Sequence, residues 1–100
     1  MVARLREAGY VDDTRVALER AGILAGRGLG DAAIRVDLQR RGVPGDVVEE
    51  ALASLEPEPA RASRLARSLG GGQRAARGLA RKGFEPDAIA AAVEAVADDA

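Results

Sequence analysis

The first residues in this 100-residue sequence that could do chemistry are two adjacent acids, Asp12 and Asp13. A carboxylate pair can act as acid and base or bind Mg²⁺. However, adjacent side chains point in different directions, and no third ligand or base stands nearby in the sequence. We therefore interpret the pair as structural: one Asp caps the helix that follows, at its positive end, and the other braces a turn.

The second candidate is a cluster of cations. Between Ala60 and Phe84 the sequence has no acid, although the net charge of the chain is only -1. If the second half of this stretch is helical, Arg74, Arg77 and Arg81 share one face. Stacked guanidinium groups suit an acidic partner, either DNA phosphates or a carboxylate-rich protein surface, and the alternative is a solvated face. The cations of the stretch are Arg61, Arg64, Arg67, Arg74, Arg77, Arg81 and Lys82.

Composition excludes most catalytic classes. The chain has no Cys and no His, which removes disulfides, thiol nucleophiles, zinc fingers and imidazole catalysis. The glycines of GRGLG (26–30) fit no phosphate-binding motif, and we interpret them as a flexible connection. We predict a protein that is not an enzyme and holds no cofactor and no metal. No apolar run approaches the ~18 residues of a membrane span, so we expect a cytoplasmic protein.

The elements that position these residues are predicted to be helices, because Ala, Leu, Arg and Glu dominate and no long stretch alternates polar with apolar residues. Gly42 and Gly83 each follow an apolar-periodic segment and are expected to end a helix. Asp46 and Glu49 have the spacing of a capping box. The aromatic residues Tyr10 and Phe84 are predicted to be core anchors rather than surfaces that stack on bases. About seven segments and no sheet are expected: 2–8, 13–25, 31–41, 46–55, 59–69, 73–82 and 87–97.

The sequence repeats itself. Residues 38–55 align with residues 79–96 at a constant offset of 41, and residues 15–22 resemble residues 61–68. We therefore predict an all-α array of tandem three-helix repeats. The chain is expected to begin within a repeat, after an N-terminal truncation. The predicted divisions are 1–12 as the end of a first repeat, 13–57 as a full repeat, and 58–100 as a full repeat with an acidic C-terminal tail.

Several ordered segments resemble the RecX family. They are L-x-x-x-G-Y-V-D-D (5–13), G-x-G (28–30), I-R-x-x-L-x-x-x-G-V (34–43) and R-K-G-F-x-x-D-x-I (81–89). Together they cover most of the chain. The resemblance implies an elongated, curved protein that lies in the groove of the RecA–DNA filament, inhibits the recombinase and so modulates homologous recombination and DNA repair. We also expect a non-enzymatic monomer without a membrane segment, with at most weak, non-specific contact to DNA.

The arginines are the expected contacts with that partner. The preferred surface lies on the last repeat and comprises Arg61, Arg64, Arg74, Arg77, Arg81 and Lys82. A matching, weaker surface on the preceding repeat comprises Arg35, Arg40 and Arg41. Two alternatives stay open: a small helix-turn-helix DNA binder, in which residues 73–82 enter the major groove, and a helical scaffold for some other protein.

Overall fold

The computed structural model describes residues 10–99, with side chains from 13 to 98, and this part of the chain is helical with no strand. The predicted all-α class is confirmed. The first predicted segment, 2–8, lies outside the described residues, as do the side chains of Tyr10 and Asp12. The helices are α1 (Tyr10–Gly26), α2 (Asp31–Arg40), α3 (Gly45–Ala53), α4 (Glu58–Ser68), α5 (Gly72–Arg81) and α6 (Pro86–Asp99).

The six helices form two groups of three, each around its own apolar core. In the first unit, α1, α2 and α3 pack on one another, and in the second unit α4, α5 and α6 do the same. The second core relies heavily on alanine, whereas the first is built mainly of Leu, Ile and Val. The described chain extends over 52 × 19 × 18 Å. The first core contains Ala17, Ala21, Leu24, Ile34, Leu38, Val47, Val48, Ala51 and Leu52, and the second contains Ala62, Ala66, Ala75, Leu79, Phe84, Ala88 and Ala92.

The buried positions recur along the chain. Leu38 and Leu79 are both fully buried, and so are Ala51 and Ala92 at the same offset of 41. The first helix of each unit follows a different spacing. Its buried alanines in the first unit recur in the second unit 45 residues later, not at the offset of 46 implied by aligning 15–22 with 61–68. That alignment is therefore wrong by one residue, and it pairs the exposed Arg15 with the buried Arg61.

Gly42 and Gly83 end their helices in the same way. Their φ angles are +82° and +87°, in the left-handed region that favours glycine. Each following residue donates its backbone N–H to the carbonyl five residues earlier: Val43 to Leu38 and Phe84 to Leu79, both at 3.1 Å. The predicted helix ends are confirmed. Phe84 is also confirmed as a core residue, with 5% of its surface exposed.

Three local predictions need correction. Asp12 and Asp13 lie inside α1, which begins at Tyr10, so neither occupies the capping position. In α3 the capping position is Pro44, with no side-chain cap, while Glu49 binds Arg35 instead of closing a capping box. Finally, the last helix extends to Asp99, two residues beyond the predicted segment 87–97.

Candidate partner-binding surface

The α5 helix presents a row of arginines to solvent. Its buried residues, Ala75 and Leu79, are one turn apart and turn one side of the helix into the core. Arg74, Arg77 and Arg81 are consequently exposed. Within the described residues they form no ion pair, so their charge is available to a partner.

Arg61 does not belong to that surface. Only 7% of it is exposed, because its side chain turns into the junction between the two units. Its Nε donates to the Glu56 carbonyl at 2.9 Å, one terminal nitrogen donates to the Leu29 carbonyl at 3.1 Å, and the other forms an ion pair with Asp31. The prediction of an exposed contact is corrected here: Arg61 joins three chain segments and is fully occupied by them.

The junction around Arg61 is made largely by backbone groups. Gly30 donates its N–H to the Lys82 carbonyl at 2.9 Å, and Ala32 donates to the Gly83 carbonyl at 3.0 Å. A Cβ on Gly30 would lie 2.5 Å from the Gly83 oxygen, so only glycine permits this approach. Within the segment 26–30, Gly28 and Gly30 are thus packed against the second unit and do not form the flexible connection that we expected.

A glutamate completes the junction. The Glu58 carboxylate accepts the backbone N–H of Asp31 at 2.8 Å and that of Glu85 at 3.3 Å. It therefore satisfies a free donor at the beginning of α2 and another just before α6. The sequence analysis missed Glu58, because two backbone groups brought together by tertiary packing leave no spacing signal in the sequence.

The weaker surface predicted on the first unit is largely ion-paired. Arg35 donates to Glu49 at 3.0 and 3.3 Å and lies 3.5 Å from the Glu85 carboxylate. Arg41 donates to Asp37 at 2.9 Å. Of the three predicted contacts, Arg40 is exposed and has no ion pair among the described residues.

These ion pairs lower the pKa values of the acids that they contain. The hydrogen bond from Arg35 lowers the pKa of Glu49 below its ordinary value. Hydrogen bonds from Arg20 and then Arg41 lower the pKa of Asp37, against the effect of its partial burial.

Two cations at the edge of the second unit differ from the α5 row. Arg64 is 66% exposed but binds Glu56, and this hydrogen bond lowers the pKa of Glu56. Lys82 is half-buried beside Gly28. Arg61 and Arg64 therefore do not share an exposed face. Of the preferred surface, the structure brings together Arg74, Arg77 and Arg81 as a continuous exposed row.

An open groove of about 1130 Å³ lies between α5 and α6, next to this row. Its apolar lining includes Ala76 and Ala80 of α5 and Ile89 and Val93 of α6. Arg77 lines one side, whereas Asp87 and Glu94 line the other. The sequence analysis did not identify this groove. The repeat offset holds the signal that could have found it, because Ala76 and Ala90 stand where the first unit has Arg35 and Glu49.

Neither metal binding nor membrane insertion is favoured by the described residues. They contain no cluster of three or more acids that could hold a metal ion. None of their helices combines the length and the apolar character needed to cross a membrane.

Comparison with known proteins supplies the family. The family model of the second three-helix domain of RecX matches residues 12–52, which include most of the first unit. Over 101 aligned residues, 91% of this chain, the sequence is 37% identical to the regulatory protein RecX of Xanthomonas axonopodis pv. citri (strain 306) and to that of Xanthomonas citri. The chain belongs to the RecX family.

The relatives are longer than the chain. The alignment covers 62% of each Xanthomonas protein. The regulatory protein RecX of Deinococcus radiodurans is 36% identical over 58 residues, 58% of this chain and 27% of that protein. The three relatives are regulatory proteins by name, and the RecX-family resemblance seen in the sequence is confirmed.

Proposed function

We propose that this RecX-family chain regulates a recombinase by binding the RecA–DNA filament and inhibiting its activity in recombination and DNA repair. The single observation that carries the contact surface is the exposed row of Arg74, Arg77 and Arg81 on α5, none of which has an ion pair among the described residues. Family membership supports the regulatory role. The extended arrangement of two units, 52 Å long and under 20 Å wide, suits binding along a filament.

The same proposal assigns the units to repeats. The first unit corresponds to the second RecX repeat, within 13–57, and the second unit to the third, within 58–100. Arg40 and Arg64 are secondary contacts, since Arg40 lies on the other unit and Arg64 must exchange Glu56 for the partner. Lys82 contributes its ammonium group at the end of the α5 row. Arg61, which is buried, contributes only by holding the units together.

The decisive experiment is co-sedimentation with preformed RecA filaments on single-stranded DNA. Reversing Arg74, Arg77 and Arg81 to Glu should abolish binding while circular dichroism stays unchanged, because exposed charged side chains contribute little to folding. Undiminished co-sedimentation of the folded triple variant would refute the proposed surface.

A matched pair of double variants separates local contact from overall charge. Arg74→Glu with Arg77→Glu changes the net charge by the same amount as Arg15→Glu with Arg27→Glu, and the latter two residues are exposed on the first unit and lie outside the proposed contacts. The α5 pair should weaken binding far more. Equal losses would point to long-range charge rather than to a surface.

The salt dependence identifies the acidic groups that are contacted. If the arginines touch DNA phosphates, each reversal should reduce the log–log salt slope by about one unit. If they touch carboxylates of the recombinase, the slope should change less. Binding to naked duplex DNA with a sequence preference would instead support the helix-turn-helix alternative.

A further inference from the structure

The groove between α5 and α6 has a closed counterpart in the first unit. There, Arg35 of α2 and Glu49 of α3 form a two-bonded ion pair across the corresponding helices. At the offset of 41 these positions are Ala76 and Ala90 in the second unit. The spanning pair is thus replaced by two methyl groups, and a groove of about 1130 Å³ remains.

Apolar side chains below the groove are correspondingly less covered. Val48 is 1% exposed and Leu52 is 8% exposed in the first unit. Their counterparts, Ile89 and Val93, are only half-buried and line the groove. Contiguous exposed apolar surface rimmed by polar residues is typical of a protein interaction site.

The two sides of the groove carry opposite charges. Arg77 lies on the α5 side, and Asp87 and Glu94 lie two turns apart on the α6 side. None of the three has an ion pair among the described residues. A nucleic acid would meet repulsion from the acids, whereas a helix with acidic residues along one flank and basic residues along the other would satisfy both sides.

The dimensions fit one helix. The α6 residues that line the groove run from Pro86 to Ala97, which corresponds to about 17 Å or three helical turns. Alanines on both walls permit the axis of a helix to approach within about 8 Å. A second copy of the chain fits less well: the large exposed apolar side chains of α1, Val16 and Ile23, are two turns apart and leave the middle of the groove uncovered.

We propose that the α5–α6 groove is a docking site for an amphipathic helix of a partner protein. The apolar stripe of that helix lies on Ala76, Ala80 and Val93. Its acidic flank faces Arg77 and its basic flank faces Glu94. The proposal does not depend on the partner assigned above, and its test uses neither recombinase nor DNA.

The test measures binding of three 18-residue helical peptides to the full chain by fluorescence anisotropy and by NMR shifts of the α5 and α6 amides. The peptides share one apolar stripe and differ in their flanks: one acidic and one basic, both basic, or both acidic. The mixed peptide should bind tightest, because each of the others places like charges against one side. Equal binding of all three, tightest binding of a single-sign peptide, or no binding of the mixed peptide would overturn the proposal.

A double variant introduces the ion pair that covers the corresponding position of the first unit into the α5–α6 groove. Ala76→Arg combined with Ala90→Glu places an ion pair equivalent to Arg35–Glu49 across the groove. This variant should bind the mixed peptide at least about tenfold more weakly, with helicity unchanged. Unchanged binding would place the peptide elsewhere and contradict the proposal.

A second, exposed variant keeps the test valid if the double variant fails to fold. Arg77→Glu makes both sides acidic, so the preference should switch to the peptide with two basic flanks. Retained preference for the mixed peptide would overturn the assignment. Sedimentation of the wild-type chain at rising concentration tests whether a second copy of the chain occupies the groove. Self-association that Ala76→Arg/Ala90→Glu abolishes would assign the groove to that second copy and overturn the proposal.

Discussion

Two turns of the molecule have almost the same backbone but different surroundings. The Gly42 and Gly83 turns share a left-handed glycine and the same hydrogen-bond pattern. A Cβ on Gly83 would lie 2.4 Å from the Cβ of Ala33, whereas among the described residues nothing lies within 4 Å of such an atom at Gly42. The repeat therefore specifies how each helix ends, while contact with the neighbouring unit determines how much that end contributes to stability.

The largest expected effect comes from substituting the glycines. Gly42→Ala should lower the free energy of unfolding by about 1–2 kcal/mol, the cost of a left-handed alanine. Gly83→Ala adds the clash with Ala33 and should cost about 2–4 kcal/mol. Urea denaturation of both variants measures the difference.

Gly30→Ala separates packing from backbone strain. Its φ of -87° suits any residue, so only the 2.5 Å approach to the Gly83 turn is disturbed. We expect a loss between those of the other two variants. If all three losses were alike, the junction would be a compliant contact and the contrast between the turns would have no energetic meaning.

The next effect compares two arginines of α4. Arg61→Met removes hydrogen bonds to two carbonyls and the pair with Asp31, and should cost about 2–3 kcal/mol because it leaves partly buried acceptors unsatisfied. Arg64→Met removes an exposed, solvent-screened pair with Glu56 and should cost much less. Denaturation of the two variants under identical conditions provides the measurement, and similar losses would show that Arg61 is not structural.

These arginines also explain which features the sequence could predict. Helix ends follow from local chemistry, and Gly42, Gly83 and the recurring Leu38 and Leu79 were therefore predicted correctly. The prediction that Arg61 is exposed was wrong, because helical spacing indicates an exposed arginine and gives no information about the distant chain segments that cover it. The segment around Gly30 was misjudged for the same reason, since its partners are the carbonyls of Lys82 and Gly83, more than 50 residues away.

The candidate surface likewise has one part that the sequence could predict, the arginine row, and one part that was missed, the groove. The exposure of Arg74, Arg77 and Arg81 follows from their spacing on one helix. The groove beside them results from what is absent, the Arg35–Glu49 pair of the other unit, and alanines give no chemical signal by themselves. A position-by-position comparison of the repeats would have indicated it, because exchange of an ion pair for Ala76 and Ala90 is visible in the sequence alone.

The smallest expected effect is that of low pH on the relative stability of the two units. The pKa values of Asp37 and Glu49 are lowered in the folded first unit, whereas the corresponding residues of the second unit, Gly78 and Ala90, cannot titrate. A lowered folded-state pKa means that the stabilisation is complete above the unfolded-state pKa, about 4, and is lost as pH falls through the folded value. The second unit has one such pair at its edge, Glu56 with Arg64, against the two acids of the first unit, so acid should weaken the first unit more than the second.

Hydrogen exchange at equivalent buried amides can detect this difference. Protection at Leu38 should fall relative to protection at Leu79 between pH 6 and pH 3, by a small amount because the pairs are largely exposed. Asp37→Asn combined with Glu49→Gln should abolish the fall of that ratio in acid. A ratio that stays constant in the wild-type chain would mean that these ion pairs do not stabilise the first unit, and that only packing distinguishes the two repeats.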